Sequence, residues 1–356
     1  MFTSFTLKNF RCFRDLHIAP LERVNLIAGK NNTGKTAFLE AIFLHLGPNN
    51  PRLSLTLHAL RGGLDTGHVD AEELWGWLFF GRNVDDTIEL VGAYGAQQRE
   101  TLHIRLEEQE ESRSVPNEAS ERQPDLARSL STAVGLRALV LRFQDKTGQE
   151  RLSRLSLSME SMTITQARLA PLPVGVFLPA RARFPQEDAG RFSKLEQIGR
   201  QDEVVAPLRL LEPRLKRLAV LVMGDIPVIH GDIGIGRMIP ISLMGEGTGR
   251  LLSILLAIAN APGGTVLIDE IENGLHYSVL VAIWHALAQA ARQANVQLFA
   301  TTHSYECVTA AHEAFVTDGV YDMRVHRLER LDDTINAITY DQESLDIAVE
   351  HTWEIR

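Results

Sequence analysis

The sequence predicts an α/β fold: a mixed sheet with flanking helices, an antiparallel β subdomain and a helical insertion. Three observations predict it. Near the start an apolar strand runs into a glycine-rich loop and then into a helix, over residues 24–46. After Ile239 strands and helices alternate, as they do in a parallel sheet covered on its faces. Between them, TIELVGAYG, LHIRLEE, LRALVLRFQD and RLSRLSLSM alternate or carry β-branched residues, as antiparallel strands do.

The 356 residues can hold one large α/β domain or a core with a second lobe. The apolar share of 45% and charged share of 23% are ordinary for a globular chain. A net charge of −9 argues against a surface that is basic throughout, so nucleic acid is not indicated by charge and would need a local basic patch. No run of about 18 apolar residues suggests a membrane span, and MFTSFTLKNFRCF lacks the apolar core of a signal peptide. Cys12 and Cys307 are too few for a disulfide framework or a zinc cluster, and are expected as small buried residues in a reduced compartment. The expected location is the cytoplasm.

In chain order, Phe5, Leu7, Phe10, Phe13, Leu16 and Ile18 have the near period-two spacing of a hairpin with one buried face. VNLIA (24–28) is a strand for the centre of a sheet, and KTAFLEAIFLHL (35–46) is a helix ended by Gly47-Pro48. Residues 107–125 are polar, charged and carry two prolines, so they are expected to be a disordered insertion. VGVFL (174–178) is another strand. From Gly190 to about Val222 the spacing reads as helical, with a charged face. A helix over 251–259, a strand over 265–268, an amphipathic helix over 279–294 and a strand over 296–301 follow. The tail reads as two strands around Asp332-Asp333 and a short helix. The expected division is an N-terminal lobe (1–180), a mainly helical insertion, lid or dimer arm (181–238) and a C-terminal lobe (239–356).

Two elements carry chemistry. Gly29-Lys30-Asn31-Asn32-Thr33-Gly34-Lys35-Thr36 matches G-x-x-x-x-G-K-[ST]. Backbone N–H groups of such a loop wrap phosphate, and the following helix adds the positive end of its dipole. The candidate nucleotide contacts are Gly29, Asn31, Asn32, Thr33, Gly34, Lys35, Thr36 and Ala37, with ATP as the ligand. Lys35 is expected on the β- and γ-phosphates and Thr36 on Mg2+. VLIDE (266–270) is a buried strand whose acidic tip enters the crevice: Asp269 is the second candidate for Mg2+, and Glu270 the group that polarises the attacking water.

The two elements lie about 230 residues apart, far more than the roughly 30 residues of a βαβ unit. Just before the acidic strand comes Ser242-Leu243-Met244-Gly245-Glu246-Gly247-Thr248-Gly249-Arg250. Glu272-Asn273-Gly274-Leu275-His276 follows the strand, and Thr301-Thr302-His303-Ser304 ends the next one. With KNFRCF ahead of the phosphate loop, this order resembles the ABC-type ATPases of the SMC, RecF and OLD group. The resemblance is strongest to stand-alone OLD-like ATPases of the PARIS type, which lack a TOPRIM domain. It covers both ends of the chain well and the middle poorly.

The resemblance implies an ABC-ATPase head, a P-loop NTPase in which two chains sandwich ATP. Each site then joins one chain's phosphate loop to the other's signature, here Gly245, Gly247 and Thr248. Gly245 stands where the usual pattern has serine, so one hydroxyl donor is missing. The resemblance also places His303 at the γ-phosphate and His276 at the dimer seam. Arg11 is either a nucleotide contact or a surface arginine.

Three functions follow from this. The first is a Mg-dependent ATPase that forms a homodimer or larger homo-oligomer and regulates a separate effector, a nuclease or toxin, in phage defence or a toxin-type system. About fifty residues follow His303, too few for a complete TOPRIM domain, so any nuclease is expected to be another chain. The alternatives are a RecF-like DNA repair ATPase and a nucleotide-gated scaffold with little turnover. The signature is not that of a transporter subunit.

Overall fold

The computed structural model describes residues 1–62, 71–95, 97–108, 137–157, 162–167 and 172–356. β1 (Ser4–Phe10) and β2 (Phe13–Ile18) form a hairpin, β3 (Val24–Ala28) leads into the glycine loop, and α1 (Lys35–Leu46) leaves it. α2 (Arg52–Leu60) and α3 (Ala71–Trp75) precede β4 (Ile88–Tyr94), β5 (Gln98–Glu108), β6 (Arg137–Gln144), β7 (Glu150–Leu157) and β8 (Met162–Thr165). Next come β9 (Gly175–Leu178), α4 (Pro185–Gln197), α5 (Asp202–Leu208), β10 (Arg217–Met223), β11 (Ile226–Asp232) and β12 (Ile239–Pro240). The last elements are α6 (Glu246–Ala259), β13 (Thr265–Ile268), α7 (Leu280–Gln293) and β14 (Gln297–Thr302). They are followed by α8 (Tyr305–Asp318), β15 (Met323–Leu331), β16 (Thr334–Tyr340) and α9 (Gln342–Glu350).

A six-stranded sheet in the order β16-β15-β3-β14-β13-β9 organises the molecule. Its neighbours pair in parallel except β15 with β16, so the sheet is mixed. Alternate residues serve opposite faces, as the pleat requires. Val24, Leu26, Val266, Ile268, Leu298 and Ala300 face a core built with α4–α9, and Ile27, Leu267 and Phe299 face a second core. That second core contains α1 and the inner face of a seven-stranded antiparallel sheet, β2-β1-β4-β5-β6-β7-β8. Because α1 lies between two sheets, residues on every side of it are buried: Phe38, Leu39, Ala41, Ile42, Leu44. Its one buried acid, Glu40, is paired with Arg11 at 2.6 Å and with Arg61 at 2.9 Å.

Several expectations need correction. Residues 190–222 are not helical throughout: β10 and β11 form an antiparallel hairpin around Gly224-Asp225. LAVLVM followed by Gly-Asp is a hairpin signal, and the charged residues just before it imitate a continuing helix face. The insertion 181–238 is therefore two helices followed by a hairpin. Nor do 1–180 and 239–356 form separate lobes, since β3 and β9 pair into the same sheet as β13–β16. Of the insertion expected at 107–125, Glu107 and Glu108 belong to β5, and the rest lies outside the described residues. Arg11 is not a surface arginine. It is buried against Glu40, with its guanidinium 4.3 Å from the Trp77 ring centre. Among the described residues no helix is long and apolar enough to cross a membrane.

His326 sits in β15 opposite Ile27 of the phosphate-loop strand, bonded to Thr339 and Asn25. Burial, with Arg324 nearby, pushes its pKa down from 6.5 to about 3. The unfolded chain binds this proton below about pH 6.5, while the folded chain refuses it until about pH 3. Stability is therefore lost as pH falls through that window, by at most about 1.4 kcal/mol per pH unit. Urea unfolding at about pH 7.5 and about pH 5 should show a drop that is about 2 kcal/mol smaller in His326→Asn.

Candidate nucleotide-binding site

β3, β13, β14 and β9 run in parallel, and their carboxyl ends deliver the candidate residues to one edge of the sheet. The phosphate loop closes on itself. Lys35 Nζ donates to the carbonyls of Gly29 (2.6 Å) and Lys30 (2.8 Å), and Thr33 Oγ donates to Lys30 (2.9 Å). Burial lowers the Lys35 pKa, against the raising effect of Asp269, Glu270 and Glu272. Gly34 has φ +89°, and a Cβ there would lie 2.5 Å from the Phe13 ring, so the turn before α1 accepts only glycine. Asn31 and Asn32 are exposed, and Ala37 is buried in the first turn of α1.

Thr36 Oγ donates to both Asp269 oxygens, at 2.9 and 3.1 Å. Thr301 Oγ donates to Asp269 Oδ1 at 2.7 Å and accepts the Glu270 N–H at 2.7 Å. Asp269 is 6% exposed, and burial raises its pKa against the lowering effect of the two hydroxyls. Among the described residues it has no ion-pair partner within 4 Å. A buried carboxylate beside a hydroxyl, both hard oxygen donors, fits Mg2+.

Glu270 follows with φ +50°, a left-handed conformation that costs a non-glycine residue about 1–3 kcal/mol. Its surroundings hold it there. Arg250, buried in α6, donates to the carbonyls of Pro179 (3.0 Å), Asp269 and Glu270 (3.5 Å). Asn273 Nδ2 donates to Glu270 Oε2 at 2.8 Å. Burial, with Arg183 next in effect, lowers the Arg250 pKa to about 10. His303 lies just past β14, its side chain 48% exposed. Its N–H donates to Glu272 Oε1 at 3.0 Å, which also accepts from Thr302 Oγ at 2.8 Å.

The edge thus gathers the phosphate loop, Asp269, Glu270 and His303. The signature turn stands apart, and no hydrogen bond or ion pair joins residues 245–248 to residues 29–36 among the described residues. Gly245 is exposed at the start of α6. Gly247 and Thr248, both expected to contact nucleotide, are buried. A Cβ on Gly247 would lie 2.3 Å from the Gly274 carbonyl oxygen, and Thr248 Oγ turns back to Met244 O at 3.3 Å. The helix buries that side of its first turn against the loop after β13, while Gly245 and Glu246 are exposed. His276 is exposed and bonded to Ser278. Sequence reasoning gave no role to Thr301, Arg250, Asn273 or Glu272. The only signal was polar residues ending apolar strands or closing the glycine turn.

The chain belongs to the family described as "AAA domain, putative AbiEii toxin, Type IV TA system", whose sequence profile matches residues 24–308. Within that class it is a P-loop ATPase. It is similar to a Helicobacter pylori ATP/GTP phosphatase, 22% identical over 99% of this chain and 98% of that one. Over 70 residues, 20% of this chain and 19% of the other, it is 33% identical to the DNA replication and repair protein RecF of Nitrosococcus oceani. The fold resembles that of an SMC head solved with the C-terminal winged-helix domain of ScpA. The TM-score is 0.52 at 14% identity, over 97% of this chain and 99% of that one.

Gly247→Ala brings a methyl group against a backbone carbonyl that cannot rotate away. Either α6 or the turn after β13 must move. The expected outcome is a loss of about 1–3 kcal/mol in stability and at least about tenfold lower turnover, read by urea unfolding and phosphate release.

Proposed function

We propose that the chain hydrolyses ATP at this sheet edge. We further propose that two heads pair around ATP and so regulate a separate effector, a toxin or nuclease, in phage defence or a toxin-type system. The chemical half is carried by the 2.9 Å contact between Thr36 and Asp269, which joins a phosphate loop to an acidic strand tip 233 residues away.

In this reading Lys35 and the N–H groups of residues 29–36 hold the phosphates at the N-terminus of α1. Thr36 and Asp269 hold Mg2+, which when bound offsets charge on the phosphate oxygens. Glu270 orients a water and takes its proton as the oxygen bonds to the γ-phosphorus. The bond to the bridging oxygen breaks, giving ADP and phosphate. His303 contacts the γ-phosphate from the tip of β14.

The pairing half is supported by the signature turn. Gly245 is exposed at a helix N-terminus and, among the described residues, bonded to nothing in its own phosphate loop, so its N–H can face a second chain's nucleotide. Leu243 and Tyr277, 74% and 67% exposed, add apolar surface close in sequence to Gly245 and Gly274. The effector half rests on the toxin system named in the family's description. The RecF match favours a second reading, DNA repair, against which the net charge of −9 counts.

Glu270→Gln should cut turnover by about 10²–10⁴ while ATP still binds, and should trap an ATP-bound dimer or larger assembly seen by light scattering. Undiminished hydrolysis would remove Glu270 from its role. Isolation of the native complex separates the two readings. A stoichiometric protein partner supports the first, and DNA-stimulated turnover with no partner transfers the chain to the second.

A further inference from the structure

A carboxylate that takes a proton from water works best when one oxygen is held and the other is aimed. Among the described residues Glu270 has that arrangement: Oε2 accepts from Asn273 Nδ2 at 2.8 Å, and no other side-chain bond engages the carboxylate. Its backbone is fixed separately, by the Thr301 hydroxyl on its N–H and by Arg250 on its carbonyl. These bonds hold the left-handed φ of +50° but leave the side chain's direction open. The amide of Asn273 closes that freedom.

The turn that carries Asn273 does more than support one group. Glu272 gathers Thr302 and the His303 N–H on Oε1, while its Oε2 is buried without a partner. The Gly274 carbonyl packs on Gly247 at the start of α6. Residues 271–274 therefore touch the Glu270 carboxylate, the backbone of His303 and the signature helix at once.

We propose that Asn273 is the positioning residue for Glu270, aiming its free oxygen at the attacking water, in a turn that also seats His303. This rests on the ATPase reading above. Asn273 also closes a tight turn, its N–H donating to the Glu270 carbonyl at 3.2 Å. Asparagine and aspartate both suit such turns, so substitutions can separate the two roles.

The experiment uses the whole chain. With Asn273→Ala, kcat should fall about 10- to 100-fold, the range expected for a lost hydrogen bond to a charged group. KM and the affinity for a fluorescent ATP analogue should stay within about twofold. Asn273→Asp keeps the volume and the turn but exchanges a donor for an acceptor, so its kcat should be no higher than that of Asn273→Ala. An Asn273→Asp enzyme at the wild-type rate overturns the proposal, as does a loss confined to KM or nucleotide affinity. Thermal melts check folding, and Asn273→Ser, whose short hydroxyl does not reach Oε2, replaces the aspartate variant if that one melts early. Its kcat should match that of Asn273→Ala, and a wild-type value overturns the proposal.

In a Glu270→Gln background none of these changes should reduce the residual rate further, and an additional full loss counts against the proposal. Wild-type turnover in Glu270→Gln itself sinks the reading of Glu270. Dead Glu270→Gln beside fully active Asn273→Asp sinks only the role of Asn273.

Discussion

Placing α1 between two sheets is the constraint on which the rest depends. A helix covered on both sides must be apolar all round, and Phe38, Leu39, Ile42 and Leu44 meet that demand. The wedge fixes where the helix begins, and so where the phosphate loop opens relative to the strands beside it. Its one buried acid is tolerable because Arg11 and Arg61 both reach Glu40. Arg11 in turn comes from the tight turn between β1 and β2, so the antiparallel sheet is tied to the helix it covers. Phe13 and Cys12 from that turn press against Gly34, which closes the loop from outside.

At the sheet edge, register does the corresponding work. Ile268 pairs with Ala300, and Thr302 with Ala28, so the tips of three neighbouring strands end side by side. Asp269 then has a hydroxyl from the helix on one side and another from β14 on the other. Burying a carboxylate among neutral donors is costly without a cation, and burial raises its pKa accordingly. The left-handed Glu270 is a second local cost, offset by Arg250, Thr301 and Asn273 together.

The signature turn makes no hydrogen bond or ion pair with the phosphate loop among the described residues. Gly247 lacks a side chain because the Gly274 carbonyl occupies that space, so the first turn of α6 is locked to the loop after the acidic strand. A side chain at Gly247 would meet backbone there, a Cβ lying 2.3 Å from the Gly274 carbonyl oxygen.

Much of this was legible in the sequence because it is local. The phosphate loop shows as a glycine pattern between an apolar strand and a helix, and Asp269-Glu270 and His303 show as polar tips on apolar strands. Alternation identified β13, α7 and β14 for the same reason: each face's demand repeats along its own segment. The hairpin of β10 and β11 was missed where charged residues before it mimicked a helix. The division into lobes failed because strand pairing between distant segments leaves no trace in composition. Arg11, Thr301, Arg250 and Asn273 gain their roles only from partners brought by other elements. The sequence by itself determined the chemistry available and the strands that present it. Only the tertiary structure decided which oxygen meets which hydroxyl, and that Gly247 and Thr248 turn inward, because those outcomes depend on register and packing between elements far apart in the chain.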